Sequence, residues 1–565
     1  MTTTTSQTVL RARTAEERVR HSGTARRNDG DRIVDLFGFR GLADLSGPLE
    51  RHRARKDARG RPSRYPPLAL LAALASARIT GSLASALTAL DDPILWQRCR
   101  MAFEDRTGIW LPESPPTRDH VFEIRKDLAK QDATLVDMMT TFTRSAVRQA
   151  QKLGNLQPGL EPDWAEPDVR NAIFGDGTII ARYSDVTVTR DPETNEVIDA
   201  RGSRATAAKR ARYQSAFRRS GSDDKKSDGI NHVTMHTRTA HGLVVLAVGT
   251  ELGAEQWTAL DLIDRVVAEA GDGVHTLVYD RAVTGWAVEY AMARHGVQAI
   301  SKISARSARR VKNEGDDPDW DLDSYDYTTE ELRSYVQDVV RERGLPRTAR
   351  VAESLRAEFL GQMFRGERPM QVGSSLYPSS NKDGYEHVQS TYVFVPAHHT
   401  RADGSRCVHS LVMDDGALFS VSIDPVIEIL VKEEYLPAIT SVRHQQPNGA
   451  WGTTTSYLVP CSDEDFVWEI LWNPSTKRFH RDSTETDRSP ADPLGWRLRA
   501  VPRCDYERFG RINAGRNDSE SFNRWYKDTL TNKRGATIDG RRQLLDLILG
   551  AVVKNSDTWS AYNGR

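Results

Sequence analysis

Residues 232–250 read HVTMHTRTAHGLVVLAVGT, two runs rich in β-branched residues that meet at His241-Gly242, the pattern of two strands joined by a tight turn. Directly behind them, EQWTALDLIDRVVAEA (255–270) sets Leu260, Ile263, Val266 and Val267 at helical spacing, and Gly271 stops it. Upstream, NAIFGDGTIIARY (171–183) is an apolar, β-branched strand around an Asp-Gly pair. Downstream, VHTLVYD (274–280) is a strand that closes on Asp280, a short helix follows, and VQAISKI (297–303) is the next strand. The order is strand, strand, strand, helix, strand, helix, strand. It predicts an α/β fold with a mixed sheet, because the first three strands can pair as hairpins while the later ones alternate with helices.

N-terminal to this core the texture is helical. PLALLAALASARITG opens at Pro66-Pro67 and stops at Gly81, and SLASALTAL (82–90) follows. A charged amphipathic segment runs from Ser114-Pro115-Pro116-Thr117 to about Leu128, and ATLVDMMTTFTRSAVRQAQKLG ends on Gly154. This predicts an all-α domain over 61–156, preceded by a flexible basic arm over 1–60 whose RHRARKDARGRPSR (51–64) can touch phosphate. The same helices read equally well as a scaffold or dimerisation bundle. After a Pro-rich linker (157–168), the first part of the core spans 169–304 and its second part 512–565, where LLDLILGAVVKN is a buried helix. Between them, 305–511 reads as a long, mostly β insertion. Its helix starts at the capping box Thr328-Thr329-Glu330-Glu331 and runs to Arg343, STYVFVP, SYLVP and FVWEILW are strands, and Asp414-Asp415-Gly416 marks a hairpin.

The chain has 565 residues with 38% hydrophobic and 28% charged side chains, enough to build several cores. Lys+Arg 78 equals Asp+Glu 78, so a uniformly basic nucleic-acid coat is excluded and any DNA footprint must be local. Cys99, Cys407, Cys461 and Cys504 contain no CxxC pair, which fits neither a disulfide scaffold nor a zinc ribbon and points to a reducing compartment. The first residues lack the apolar core of a secretory signal, and the longest apolar stretch, Leu68–Ala77, is short of the roughly 20 residues a bilayer span needs. No GxxxxGK[ST] segment supports an ATP-driven mechanism.

Three acids are candidates for chemistry. Asp176 sits mid-strand in FGDGT among Ile173, Phe174, Ile179 and Ile180, where a carboxylate is costly unless a metal or cation compensates its desolvation, although Asp-Gly is also a common turn signal. Asp280 ends a strand where sheet edges open into crevices, although taken alone it reads first as the N-cap of the next helix. In GRINAGRNDSESFNRWYKDTLTNKR (510–534), helical spacing brings Arg516, Glu520, Asn523 and Lys527 within roughly a 60° arc, with Phe522, Trp525 and Tyr526 on the core side. A solvated helix face can carry the same Glu–Arg and Glu–Lys pairs. Three carboxylates converging on one sheet edge can hold two Mg²⁺ ions ~3.5–4 Å apart, with no need for His or Cys. A basic stretch, RGSRATAAKRARYQSAFRRS (201–220), has no acid and offers Arg210, Arg212, Arg218 and Arg219 to phosphates as an arm or loop near the site; a solvated loop balanced by Asp223 and Asp224 is the alternative. His232 and His236 share a strand face with His241 nearby, but they lack a closed four-ligand set, and Cys407-Val408-His409 lacks partners at a defined spacing.

The order of elements and acids resembles the ribonuclease-H-like transposases of bacterial insertion sequences, the aspartate–aspartate–glutamate class. One large group of these carries Y-x2-R-x3-E-x6-K, and Arg516, Glu520 and Lys527 reproduce the R-x3-E-x6-K spacing, with Asn513 at the tyrosine position. The resemblance covers roughly 170–304 and 510–555 and implies a ribonuclease-H-like mixed sheet interrupted by the β insertion. It implies Asp176, Asp280 and Glu520 as catalytic metal ligands for two Mg²⁺, for which Mn²⁺ can substitute. It further implies Arg516, Lys527, Asn513 and Asn523 on DNA, cleavage at transposon ends, and joining of the 3′-hydroxyl to target DNA. A tryptophan of the insertion (Trp320, Trp451, Trp468, Trp472 or Trp496) can stack a flipped base or simply pack a core. Double-stranded DNA is the expected partner, a homodimer or higher assembly the expected synaptic form, and the cytoplasm the expected compartment. The alternatives are a nuclease or resolvase that cuts without joining, and a domesticated derivative that only binds DNA.

Overall fold

The computed structural model describes residues 27–55, 64–181, 189–190, 197–198, 216–220, 225–251, 255–280, 282–283, 285–301, 330–347, parts of 351–362, 372–381, 384–414, 416–423, 430–474, 498–535 and 539–564.

The central sheet is mixed, as the order of elements predicts. Strand β1 (Ala172–Ala181) pairs antiparallel with the long β5 (Lys225–Thr239), which pairs antiparallel with β6 (Gly242–Glu251). On its other side β1 pairs parallel with β7 (Thr276–Val278), and β7 with β8 (Gln298–Ile300). The turn at Gly242 takes a φ of +132°, which a side chain would oppose. Two-residue strands β2 (Thr189–Arg190) and β3 (Val197–Ile198) form a ribbon of their own, and β4 (Ala216–Ser220) pairs with β5. Residues 216–220, read from composition as part of a loose arm, are therefore a sheet strand at this end. Arg218 and Arg219 lie opposite Ser227 and Lys226 in register, while Arg210 and Arg212 fall outside the described residues.

The N-terminal helices start earlier than composition suggests. Helix α1 (Asp29–Phe37) is capped by Asn28 and buries Ile33, Leu36 and Phe37, followed by α2 (Arg40–Ala43) and α3 (Ser46–Arg55). The flexible arm expected over 1–60 is thus wrong for 29–55. The DRIVDLFGFRGLADL stretch carries enough apolar residues at helical spacing to pack, and the abundance of arginine around it hid that. Helices α4 (Pro67–Thr80), α5 (Leu83–Leu90), α6 (Pro93–Thr107), α7 (Arg118–Leu128) and α8 (Asp132–Lys152) complete the helical part. Every residue of α4 from Leu68 to Ile79 is buried, and Gly81 ends it at a φ of +81°. A helix buried all round is a central core element, not a free reading head.

The sheet joins this bundle through the C-terminal helix. Helix α9 (Glu255–Ala270) and helix α10 (Trp286–His295) flank the later strands, and α11 (Glu330–Arg343) lies in the insertion. After the insertion come α12 (Tyr506–Asn513), α13 (Arg516–Asp528) and α14 (Gly540–Tyr562). On α14, Asn555 exchanges both hydrogen bonds with the backbone of Val245, and Thr558 donates to Leu243 O. On its other side, Asp546 forms a buried ion pair with Arg125 of α7. One apolar core consequently runs from α1 through the sheet to Trp472. Among the described residues no single helix is long and apolar enough to cross a membrane.

The described residues of the insertion are mostly β, as its sequence indicates. Strands β9 (Val372–Asn381), β10 (Gly384–Thr400), β11 (Arg406–Asp414), β12 (Ala417–Ile423) and β13 (Leu430–Leu436) form an antiparallel five-stranded sheet. Strands β14 (Ala438–Gln445), β15 (Trp451–Val459) and β16 (Phe466–Trp472) form a three-stranded one.

Candidate active site

Two strands carry the first two acids to the same place. The parallel register pairs Ala172 with Thr276 and Phe174 with Val278, and continuing it two residues past the end of β7 brings Asp280 level with Asp176. Residues an even number apart in a strand share a face, and neighbouring strands lie about 4.8 Å apart, so both carboxylates rise from one edge. One step earlier in register, and on the opposite face, stand Gly175 and Tyr279. A Cβ on Gly175 would meet the Tyr279 ring at 2.4 Å, so the glycine leaves room for that ring against β1. Asp280 accepts from Ala282 N at 2.7 Å in a local turn; it is not the N-cap of the next helix, which starts at Trp286 with Gly285 as its cap.

Helix α13 lays the third acid across this edge. Gly515 starts it, and a Cβ there would sit 2.3 Å from the Phe174 ring, so only glycine lets the helix approach β1 so closely. Ser519, Phe522, Asn523 and Tyr526 are buried against the sheet. Asn523 donates to Asp176 Oδ2 at 3.0 Å. The Arg516 guanidinium stands between two acids, 3.7 Å from Asp176 Oδ1 and 3.5 Å from Glu520 Oε1. The polar stripe read from the sequence thus straddles the sheet: Asn523 turns inward to Asp176, whereas the Glu520 side chain is 60% exposed. Gly515→Ala is expected to cost about 1–3 kcal/mol by overpacking on Phe174 and to displace Arg516; an unchanged urea midpoint would show that the helix adjusts freely.

A fourth acid lies across the strand from these three, on the face of β1 opposite Asp176 and helix α13. Glu255, the first residue of α9, receives Tyr279 Oη at 2.8 Å and Asn231 Nδ2 at 3.0 Å. Its carboxylate lies over Gly177, where a Cβ would meet it at 2.3 Å. A glutamate opening a helix is ordinary sequence chemistry, favoured there by the helix dipole, so nothing in EQWTALDL distinguishes it.

The electrostatics follow from this crowding. Burial pushes the Asp176 carboxyl up to about 6; Arg516 and the Asn523 amide pull it down, while Asp280 and Glu255 push it further up. Only 13% of its side chain is exposed. The site therefore has hard oxygen donors and more negative charge than its own cation offsets, a fit for a divalent cation that prefers oxygen ligands. The acids do not form a closed shell: among the described residues, only a His/Cys group in the insertion has all its ligand atoms within 4.8 Å of one another. Glu520 is linked to Asp176 through Arg516.

The remaining candidates divide. Lys527, on the sheet side of α13, lies close enough to His232 to help keep that ring neutral. Asn513 ends α12, half-buried, three residues before Arg516. His232 and His236 serve the core: burial pulls them down to about 4 and about 3, His232 lies 3.1 Å from Gln543 Oε1, and His236 lies 3.3 Å from Ser519 Oγ. Trp472 belongs to the core and Trp451 and Trp468 pack against it, while Trp320 and Trp496 fall outside the described residues. Against protein-family models, curated proteins and solved structures, the chain has no match.

Proposed function

We propose that the chain is a DNA transposase with a ribonuclease-H-like catalytic core, cutting strands at the ends of a mobile element and joining the freed 3′-hydroxyl to target DNA with Mg²⁺. One observation carries the reading: Asp280, two residues past the end of β7, comes close enough to Asp176 on the neighbouring parallel strand to raise its carboxyl, and the Arg516–Glu520 helix packs against Asp176. The sheet order, three antiparallel strands β6-β5-β1 extended by parallel β7 and β8, agrees with it.

Asp176 and Asp280 would hold the metal, with Glu520 as the third acid. When bound, Mg²⁺ activates the attacking water or 3′-hydroxyl and stabilises the leaving oxygen of the phosphodiester. The Asn523 amide fixes the orientation of Asp176 through Oδ2. Arg516 would receive a scissile phosphate by charge-assisted hydrogen bonds, releasing its carboxylates as the phosphate arrives. Lys527 would hold a neighbouring phosphate as a point charge. Bringing two DNA ends together would require at least two copies of the chain.

The test is a supercoiled plasmid carrying the DNA that flanks the gene, incubated with the protein and Mg²⁺. Cleaved ends and joined products are expected. Cleavage without joining would make the protein a nuclease or resolvase, and binding without cleavage a domesticated derivative; either overturns the proposal. The rate of nicking at subsaturating Mg²⁺ is expected to rise with pH through about 6, as Asp176 loses its proton. A rate that stays level from about pH 5 to 8 would remove Asp176 from the site.

A further inference from the structure

Within the insertion, its two sheets meet at four side chains with a different chemistry. In the β10–β11 hairpin, His399 lies directly opposite Cys407. His409, two residues beyond Cys407, therefore points from the same face of β11. Cys461 comes from the turn that follows β15, in the other sheet. The four ligand atoms all lie within 4.8 Å of one another. His399 Nε2 is 3.4 Å from Cys461 Sγ, and Cys407 Sγ is 3.2 Å from His409 Nε2. Zinc bonds of about 2.0–2.3 Å in a tetrahedron place neighbouring ligand atoms roughly 3.3–3.8 Å apart, so these separations are close to those of a formed site.

We propose that His399, Cys407, His409 and Cys461 bind one structural Zn²⁺ that fastens the three-stranded sheet to the five-stranded one. Two sulfurs and two imidazole nitrogens select zinc over magnesium, and four protein ligands leave no open position for catalysis. Binding releases the two thiol protons, and two thiolates neutralise the ion. The surroundings hold the ligands in place. Arg401 donates through Nη2 to Cys407 Sγ at 3.2 Å and pairs through Nε with Asp463 at 2.6 Å. Asp465 accepts from Cys461 N at 3.1 Å, closing the turn that presents the sulfur. The Phe466 ring stacks on His399 at 4.3 Å and tilts against His409 at 5.1 Å, covering the imidazoles with apolar surface. Such outer partners orient ligands and tune affinity.

The competing use of two neighbouring thiols is a Cys407–Cys461 disulfide. The full chain, purified under reducing conditions without added chelator, is expected to contain one zinc per chain by elemental analysis. Exchange with Co²⁺ should give the intense visible bands of tetrahedral, thiolate-bound cobalt. Cys461→Ser, at a half-exposed position, should lose the metal and weaken those bands at least tenfold, while Cys504→Ser keeps both. Because Cys461→Ser can also disturb folding, the cobalt spectrum of the unaltered chain stands as a second readout. A chain that takes up neither metal, a Cys461→Ser variant with an unchanged spectrum, or a Cys407–Cys461 disulfide in place of metal would each overturn the proposal. The measurement uses no DNA, so it stands apart from the transposase reading.

Discussion

Replacing Asp176 by asparagine is expected to make the protein more stable at pH 8 and to stop it cutting DNA. The two effects share one cause. Asp176 is held among Asp280, Glu255 and the apolar strand with its carboxyl raised to about 6, after the attraction of Arg516 and Asn523 has already been counted. A carboxyl raised in the folded state stabilises the fold fully at pH below its unfolded value near 3.9, and that contribution is lost as pH rises through about 6. Asparagine never ionises, so it escapes the loss. The gain is on the order of 1–3 kcal/mol at pH 8, since one pKa unit is about 1.4 kcal/mol and the group keeps some exposure. It should shrink through about pH 6 and vanish near pH 4. The amide oxygen can still accept from Asn523, so the local geometry survives. Thermal melts of both proteins at pH 4, 6 and 8 check the first effect. Nicking should fall by about 10³-fold or more, because a neutral amide is a poor ligand for a divalent cation and several kcal/mol of charge stabilisation goes with it. A variant that melts lower than wild type at pH 8 would mean that the Arg516 contact outweighs burial. One that still nicks at the wild-type rate would end the metal assignment. Stability gained by removing a functional charge is the common signature of a site built at the expense of its fold.

How much of this was legible from the chain varies with the kind of signal. The mixed sheet could be read because β-branched runs and the helical spacing of Leu260, Ile263 and Val266 are local patterns. Arg516, Glu520 and Asn523 share a helix face for the same reason, and the expected burial of Phe522 and Tyr526 followed with them. What periodicity could not supply was depth: it placed Asn523 on a polar stripe, and only the close approach of Gly515 to Phe174 turns that stripe inward onto Asp176. Glu255 was illegible, because its role depends on Tyr279 and Asn231 reaching it from two other strands. The His399–Cys407–His409–Cys461 group escaped a reading based on spacing. Its closest pair is Cys-x-His on one strand, His399 joins through hairpin register, and Cys461 arrives from a different sheet.

Glu520→Gln and Glu255→Gln are expected to part company, and their difference identifies the third acid of the site. Glu520 is 60% exposed and pairs with Arg516 at its own helix surface, so its replacement should leave the melting temperature unchanged. If it completes the metal shell on substrate binding, nicking should fall by about 10³-fold, comparable to losing Asp176. Glu255 differs because both its oxygens are already engaged, by Tyr279 and by Asn231. Its charge acts on Asp176 from a distance, raising the carboxyl. Glutamine keeps an acceptor for Tyr279 while removing that charge, so Asp176 should ionise at lower pH. The rising limb of the nicking profile should move toward acid while cleavage at pH 8 stays within about tenfold of wild type. The reverse pattern, with cleavage lost in Glu255→Gln and kept in Glu520→Gln, would transfer the third ligand to the start of α9. In that case the Arg516–Glu520 pair would serve to hold helix α13 against the sheet, and the spacing of Arg516, Glu520 and Lys527 would report packing in place of catalysis.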